Sequence, residues 1–248
     1  TGACPRQPAL PGHRQIIGGK LGMSAILVIR PSSLGDVVHA LSLVSDVRRA
    51  RPELAIDWIA EEAFVPLVGL DPRVRRVIPV ALRRWRTQLG KAETWREFAT
   101  FRRAVREERY AAVIDLQEQV KGALMASFAR GPRHGPHRSS IREPAATLFH
   151  DVHHRIDRRQ HLIDRCRQLT AAALGYTVEG PPRFGIVAPS RFPPAMPQGP
   201  YVVFIHATSR ESKLWPEAEW KALIATFGDA GLTVLLPWGS ADERSRSE

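Results

Sequence analysis

The sequence is poor in cysteine and lacks long apolar runs. Its 248 residues contain two cysteines, Cys4 and Cys166, which lie far apart. Such a pair forms neither a disulfide framework nor a metal-ligand set, which favours a reducing cytoplasmic location. No apolar run approaches the roughly 18 residues that cross a bilayer, and the run at residues 25–29 is shorter than the apolar region of a signal peptide. These absences exclude a membrane-spanning helix.

Several cofactor and catalytic signatures are also missing. The turn after the first predicted strand offers Gly35 alone, whereas a G-x-G-x-x-G fingerprint needs three glycines, so a hydride-transfer cofactor is not expected. No Walker-type loop or Ser-His-Asp grouping occurs. The histidines between residues 134 and 161 match no compact zinc pattern, and the adjacent His153 and His154 point apart on a helix. The sequence predicts neither a cofactor nor a bound metal.

Positive charge is abundant. Thirty-six Lys and Arg residues against 25 Asp and Glu residues give a net charge of +11 and a pI near 10.7. Such an excess indicates an anionic partner, which is a nucleic acid, an acidic membrane surface or a phosphorylated substrate. A coding bias that favours arginine accounts for the same excess, so charge alone does not choose among these partners.

Buried-strand patterns alternate with helical patterns along the chain. Strands are predicted at residues 25–29, 54–60, 74–80, 111–115, 201–205 and 232–236. Helices are predicted at residues 37–51, 94–108, 120–130, 143–149 and 160–174, and after Pro216. This alternation predicts an α/β fold with mostly parallel, doubly wound sheets.

The chain divides into four predicted segments. Residues 1–22 are expected to be an unstructured leader before a native start at Met23, and residues 23–180 a first Rossmann-like domain. Seven prolines between Gly180 and Pro200 predict a linker at residues 181–200. Residues 201–248 then begin a second domain, which we expect to be incomplete because so few strands leave sheet edges open. The alternative is that these strands join the first sheet.

The most informative turn follows the first strand and runs from Arg30 to His39. In an open α/β sheet, ligands bind beyond the carboxyl ends of the strands, so a substrate is expected here. Ser33 and Asp36 have the spacing of a capping box, and one interpretation is that Asp36 only caps the following helix. The other is that Asp36 is a general base that takes a proton from an attacking hydroxyl.

A second polar turn follows the strand at residues 201–205 and contains Thr208, Ser209 and Lys213. Hydroxyls, backbone amides and a lysine near a helix N-terminus make a site for a diphosphate, although a solvated polar loop has the same composition. Glu243 follows the next strand, where a carboxylate accepts hydrogen bonds from ribose hydroxyls. It is equally explained as surface charge.

A cluster of arginines follows the third strand. Arg83, Arg84 and Arg86 surround Trp85 in a segment that we expect to be a loop. Guanidinium groups match phosphate and carboxylate oxygens with paired hydrogen bonds, so the segment is a candidate site for an acidic substrate. Contact with nucleic acid or lipid headgroups and simple solvation are the alternatives.

Taken together, these stretches resemble glycosyltransferase family 9, and within it the enzymes that add heptose to Kdo in the inner core of lipopolysaccharide. The matching segments occur in the family's order at residues 32–39, 77–86, 113–121, 206–217 and 236–239. The resemblance implies a GT-B architecture, in which two Rossmann-like domains face a cleft, and a metal-independent inverting reaction without a cofactor. The order of the segments makes the resemblance specific, since any one of them alone is weak.

The resemblance also assigns roles. Asp36 matches the catalytic base that deprotonates the Kdo hydroxyl, while Thr208, Ser209 and Lys213 match residues that hold the diphosphate of ADP-heptose. Glu243 matches a contact to the nucleoside.

On the acceptor side, Ser33, Arg83, Arg84 and Arg86 are expected to meet the Kdo-lipid A acceptor. The anionic partner is then a glycolipid at the inner leaflet of the inner membrane, reached peripherally from the cytoplasm, and no nucleic acid is expected.

The sequence departs from the family's pattern in three places. Ser209 replaces a usual threonine, and Glu118 stands where glycine is usual. The family's Asp-Thr-Gly-x-x-His donor motif does not occur in the 248 residues, so the chain as printed is expected to bind donor poorly. The alternatives to this function are a family 9 heptosyltransferase that acts on a later core sugar and a non-catalytic anion-binding α/β module.

Overall fold

The computed structural model describes residues 25–188, 196–208 and 211–248. The predicted leader and Ser209 lie outside the described residues. The chain separates into two compact units, Thr1–Ala188 and Pro189–Glu248, and the division falls in the proline-rich segment 181–200.

The first unit is built on a six-stranded parallel sheet. Its strands are β1 (Ala25–Ile29), β2 (Ala55–Glu61), β3 (Val74–Val80), β4 (Ala112–Asp115), β5 (Arg133–Pro136) and β6 (Val152–His154). Their order across the sheet is β3-β2-β1-β4-β5-β6, and every neighbouring pair is parallel. This is the doubly wound order, in which the chain reverses its direction of travel between β1 and β4 and opens a crevice beyond their carboxyl ends.

Helices cover both faces of this sheet. They are α1 (Leu34–Ala50), α2 (Val65–Val68), α3 (Leu82–Thr87), α4 (Ala92–Arg106), α5 (Val120–Phe128) and α6 (Leu162–Leu174). Successive side chains of a strand point to opposite faces, so Ile26 and Val28 of β1 pack in one core with α1 and α6. Leu27 and Ile29 pack in the other core with α4 and α5. Both faces of β1 are fully buried, which explains its unbroken apolar sequence.

The second unit contains a parallel strand pair, β7 (Tyr201–Val203) and β8 (Thr233–Leu235), with the helices α7 (Glu217–Asp229) and α8 (Ala241–Ser247). Phe204 packs against the rings of Trp220 and Phe227 on α7 at centroid distances of 5.5 and 5.2 Å. The sequence prediction of strand, helix and strand is therefore confirmed here, with a further short helix at residues 241–247.

The helical segment predicted at residues 143–149 is confirmed as a 3-10 helix at Pro144–Phe149. Two local predictions are wrong. The arginines at 83, 84 and 86 lie on helix α3 rather than in a loop. His153 and His154 belong to strand β6, not to a helix. Within the described residues, no helix combines the length and apolar character needed to cross a bilayer.

Candidate active site at the sheet's switch point

Asp36 lies at the switch point of the sheet, between β1 and β4, where the strand order reverses. Arg30 follows β1 directly, and Ser33 is the N-cap of α1, which places Asp36 in the first turn of that helix. Gln117, which follows the neighbouring strand β4, accepts a hydrogen bond at Oε1 from the Ser32 backbone N–H at 3.4 Å. The turns after β1 and β4 therefore meet at the crevice where this fold binds ligands.

The carboxylate of Asp36 is held by one of its two oxygens. Oδ2 accepts from the Ser33 backbone N–H and from the Ser33 hydroxyl, each at 3.0 Å, and lies 3.0 Å from a guanidinium nitrogen of Arg30. No described residue hydrogen-bonds to Oδ1. The Asp36 side chain is 36% exposed, and its Oδ1 is not buried. The capping contacts thus use Oδ2 and leave the second oxygen of the carboxylate without a partner among the described residues.

These contacts set the charge of the group. Partial burial raises the pKa of Asp36, but the Ser33 backbone hydrogen bond, the charge of Arg30 and the Ser33 hydroxyl together outweigh burial. The net result is a pKa below the ordinary aspartate value. Asp36 is therefore ionised throughout the neutral range, as a proton acceptor must be.

Arg30 fixes the position of this carboxylate, and the sequence analysis gave it no role. Its side chain is only 6% exposed, and it donates a further hydrogen bond to the Leu116 carbonyl at the end of β4. Arg30 thus ties the turn that carries Asp36 to the neighbouring strand. Its position directly after a buried strand was the available signal, but its contact with Asp36 depends on the way the turn folds back.

Lys121 is the second residue without an assigned role. It lies in the first turn of α5, and its Nζ is 3.4 Å from the Ser32 hydroxyl. Partial burial lowers the pKa of Lys121. The carboxylate of Glu61 raises this pKa, and the guanidinium of Arg83 lowers it. The amine is therefore close to the loop that carries Asp36, on the side of the crevice where an anionic substrate group is expected.

One departure from the family's pattern, Glu118, lies in the turn after β4. Glu118 has a φ of 59°, in the left-handed region that favours glycine, and its carboxylate forms an ion pair with Arg165. Beside it, the buried Asp115 accepts from the Gln117 backbone N–H at 2.8 Å and pairs with His150 at 3.0 Å. These contacts hold the loop that faces Ser32.

The three predicted acceptor arginines differ in their environments. Arg84 is already paired with Glu62 and Glu97, at 3.0 and 2.9 Å, and both carboxylates raise its pKa. Arg83 lies over the ring of Phe64, and its backbone N–H donates to Glu61. Arg86 is exposed and forms no ion pair with a described residue. Arg83 and Arg86 are therefore the members free to meet an acidic substrate.

In the second unit, Thr208 and Lys213 are exposed in the segment between β7 and α7. Lys213 forms no ion pair within the described part of the unit. Glu243 has a local structural role, since its Oε2 accepts from the Gly239 backbone N–H at 2.7 Å in the turn before α8. Glu243 itself lies in the first turn of α8 and is the residue predicted to contact the nucleoside.

No group of three or more His, Cys, Asp or Glu side chains among the described residues is arranged to hold a metal ion. His134 and His154 stack with their ring nitrogens 3.0 Å apart across β5 and β6. Burial is the main cause that lowers the pKa of His134 to about 4, so this ring is neutral at pH 7. The pair supports the sheet edge.

Comparison with known proteins gives a consistent result. The sequence profile of glycosyltransferase family 9 (heptosyltransferase) matches residues 98–248. Lipopolysaccharide heptosyltransferase 1 of Salmonella typhimurium is 42% identical over 227 residues, which are 90% of this chain and 71% of that protein. The solved structure of the E. coli heptosyltransferase WaaC with ADP-2-deoxy-2-fluoro heptose has a TM-score of 0.80 at 39% identity, covering 90% of this chain and 71% of that one.

A relative with a different name matches less well. Lipopolysaccharide heptosyltransferase 2 of Salmonella typhimurium is 31% identical over 117 residues, or 47% of this chain and 32% of that protein. The structural match confirms the predicted α/β fold class with a parallel sheet. The chain is a glycosyltransferase and belongs to glycosyltransferase family 9, the heptosyltransferases.

Proposed function

We propose that this protein transfers L-glycero-D-manno-heptose from ADP-heptose to a Kdo residue of Kdo-lipid A during synthesis of the lipopolysaccharide inner core. One observation carries the proposal: the ionised carboxylate of Asp36 lies at the switch point with Oδ1 open. The names of its relatives support the sugar and the lipopolysaccharide acceptor, since the similar proteins are lipopolysaccharide heptosyltransferases. The higher identity and coverage of the heptosyltransferase 1 relative favour Kdo over a later core sugar.

In the proposed reaction, Oδ1 of Asp36 takes the proton of a Kdo hydroxyl. The hydroxyl oxygen bonds to the anomeric carbon of heptose as the bond from that carbon to the diphosphate breaks. ADP leaves with the bonding electrons, and the configuration at the anomeric carbon is inverted. A base of low pKa serves this reaction because the hydroxyl becomes acidic only as it bonds to the electron-poor sugar carbon.

Thr208, Ser209 and Lys213 are proposed to hold the donor diphosphate, with Glu243 near the nucleoside. Lys213 offsets the charge that builds on the leaving phosphate. At about 4 Å and an effective dielectric near 20, one such contact stabilises the charge by about 4 kcal/mol before desolvation.

Ser33, Arg83, Arg86 and Lys121 are proposed to meet the anionic acceptor. Arg84 supports this surface by holding α3 against α4 through Glu97. An acceptor of this kind is a glycolipid, so the protein is proposed to work on the cytoplasmic face of the inner membrane as a peripheral protein.

The test supplies ADP-heptose and Kdo-lipid A to the protein extended at its C-terminus to the length of its relatives, and follows the acceptor by mass spectrometry. The expected result is one added heptose and an equal amount of ADP. A panel of core acceptors that already carry one or two heptoses distinguishes the alternative. Transfer only to those longer acceptors would show a later-core enzyme, and no transfer to any of them would refute the proposal.

A further inference from the structure

The outward face of α4 carries cations that no carboxylate neutralises. With 3.6 residues per turn, Phe101 and Val105 point into the core, while Trp95, Arg102 and Arg106 form an exposed stripe along one flank of the helix, about 90° from its core-facing side. Lys91 precedes the helix on the same flank, and Arg96 and Arg103 lie farther round, on the side opposite the core. In the described structure, none of these five arginines and lysines forms an ion pair.

Two exposed apolar side chains lie at the N-terminal end of this face. Leu89 and Trp95 are each 58% exposed. The Trp95 indole nitrogen donates to the Leu89 carbonyl at 2.9 Å, which joins the two positions. Trp95 also rests edge-on against Phe98, whose ring contacts Phe128 of α5, so the exposed indole has a rigid support.

Residues 82–106 carry more of the chain's positive charge than their share of its length. Residues 82–106 contain eight Arg and Lys residues and two Glu residues, a net charge of +6 in a chain of net charge +11. One of the two glutamates, Glu97, is already paired with Arg84. About a tenth of the chain thus holds more than half of its excess positive charge, on the side of the sheet where β3 forms the edge.

We propose that the α4 face, defined as Leu89, Lys91 and Trp95 with the arginines 96, 102, 103 and 106, docks on an anionic lipid bilayer. The inference rests on the proposed function, which needs a membrane-borne acceptor. Tryptophan is favoured at the membrane interface because its ring is apolar and its N–H is polar, and clustered Lys and Arg bind anionic headgroups. The aliphatic Leu89 inserts among acyl chains, whereas nucleic acid has no apolar surface that would accept it.

The test is co-sedimentation of the chain with vesicles of phosphatidylcholine alone or mixed with phosphatidylglycerol. We expect binding to the mixed vesicles and much weaker binding to the neutral ones. Trp95→Ser with Leu89→Ser should weaken binding to mixed vesicles by about tenfold, as expected for removing two large apolar groups from an interface. The matched control is Trp238→Ser in the second unit, where the tryptophan is 53% exposed.

The electrostatic part has its own pair of variants. Arg102→Glu with Arg103→Glu should weaken binding to mixed vesicles by at least about fivefold for each arginine lost, since a juxtamembrane cation contributes about 1 kcal/mol. Arg155→Glu with Arg158→Glu makes the same charge change in the exposed loop after β6, at the opposite edge of the sheet. Equal losses in the two pairs would mean that only total charge matters and would overturn the proposal.

Other outcomes also decide the question. The proposed surface is overturned if the Leu89 and Trp95 changes leave vesicle binding unaffected. It is also overturned if these changes abolish binding to duplex DNA while vesicle binding persists. Heptose transfer to a delipidated, soluble Kdo acceptor should be unchanged in the Leu89 and Trp95 variant of the extended protein. If the unaltered protein binds vesicles but transfers no heptose, the proposed function fails while the docking surface stands.

Discussion

At the scale of single residues, Asp36 combines a structural role at the start of α1 with the role of base that we propose for it. The capping-box spacing of Ser33 and Asp36 was visible in the sequence, and the structure confirms the contact between them. The spacing left cap and base as competing interpretations, but Oδ2 serves the cap while Oδ1 stays open. The proposed base is thereby oriented by the helix that it helps to begin.

The charge of Arg30 helps to set the pKa of Asp36, which can be tested by substitution. Arg30→Gln removes a positive charge from Asp36 and should raise the pKa of that carboxyl toward its ordinary value. Because Asp36 acts only when ionised, activity falls as the pH drops through its pKa in the folded protein. The acid limb of the pH profile of kcat/KM should therefore move to higher pH in Arg30→Gln.

Arg30→Lys, which keeps the charge, is the control and should leave the limb near its original position. An unmoved limb in both variants would show that another group is the base. The same lowered pKa contributes stability that is fully present above the unfolded value of about 3.9 and is lost as the pH falls through the folded value.

The backbone conformation of Glu118 and the ion pair of Arg84 could not be predicted from the sequence. The sequence identified Glu118 as a departure from glycine but not its φ of 59°, which is the physical reason glycine is usual there. Arg84 looked equivalent to Arg83 and Arg86, yet it pairs with Glu62, which is 22 positions away in sequence. Contacts of that range depend on how β2 and α3 pack, which composition does not reveal.

At the scale of elements, β2 and β3 are joined by a buried carboxylate. Asp57 is fully buried and accepts from Arg75, from Arg76 and from the Tyr110 hydroxyl. Burial is the main cause that raises the pKa of Tyr110, and Asp57 adds to it. Asp57 thus pairs with both arginines of the edge strand, and each arginine has a second carboxylate partner, Glu108 for Arg75 and Glu107 for Arg76.

Asp57→Ala leaves these donors without their acceptor in a buried site. It should lower the free energy of unfolding by about 3–5 kcal/mol, measured by urea denaturation. Glu107→Ala is the matched control, since Glu107 also pairs with Arg76 but its side chain is 55% exposed, and its loss should be below about 1 kcal/mol. Similar losses from both variants would contradict the role given to Asp57.

Gly135 in β5 packs closely against the ring of His150, beside the turn after β4. A Cβ at Gly135 would lie 2.2 Å from the ring of His150, which is buried against Asp115. Gly135→Ala should therefore destabilise the fold by about 1–3 kcal/mol through overpacking, measured by thermal and urea unfolding. Gly90→Ala is the control, because nothing lies within 4 Å of its Cβ position, and it should be close to neutral. A neutral Gly135→Ala would mean that His150 is not held as described.

Elements with an apolar signature were predictable, and those without one were not. The strands β1, β3 and β4 and the helix α4 lie within two residues of their predicted bounds because their core faces are apolar. Strands β5 and β6 were missed because Arg133–Pro136 and Val152–His154 contain hardly any apolar side chains. Both are short strands near the sheet edge, held by backbone pairing and histidine contacts instead of an apolar run.

At the scale of the whole molecule, the alternation of strands and helices predicted the fold class, while strand order needed the structure. The order places the turns after β1 and β4 side by side, which brings Ser32 to Gln117 and Lys121 although 85 or more residues separate them. The same order places the cationic α4 beside the edge strand β3. The turn that carries Asp36 and the basic face of α4 are thus positioned by one sheet.

If the carboxylate of Asp36 is the base for heptose transfer, Asp36→Asn should lower the kcat with ADP-heptose and Kdo-lipid A. Asparagine keeps an oxygen for the Ser33 hydrogen bonds but does not take up the proton. We predict that kcat falls by about 10²–10⁴-fold, while the thermal midpoint and the KM for the acceptor change little. A variant that folds normally and retains the rate of the unaltered protein would contradict the account.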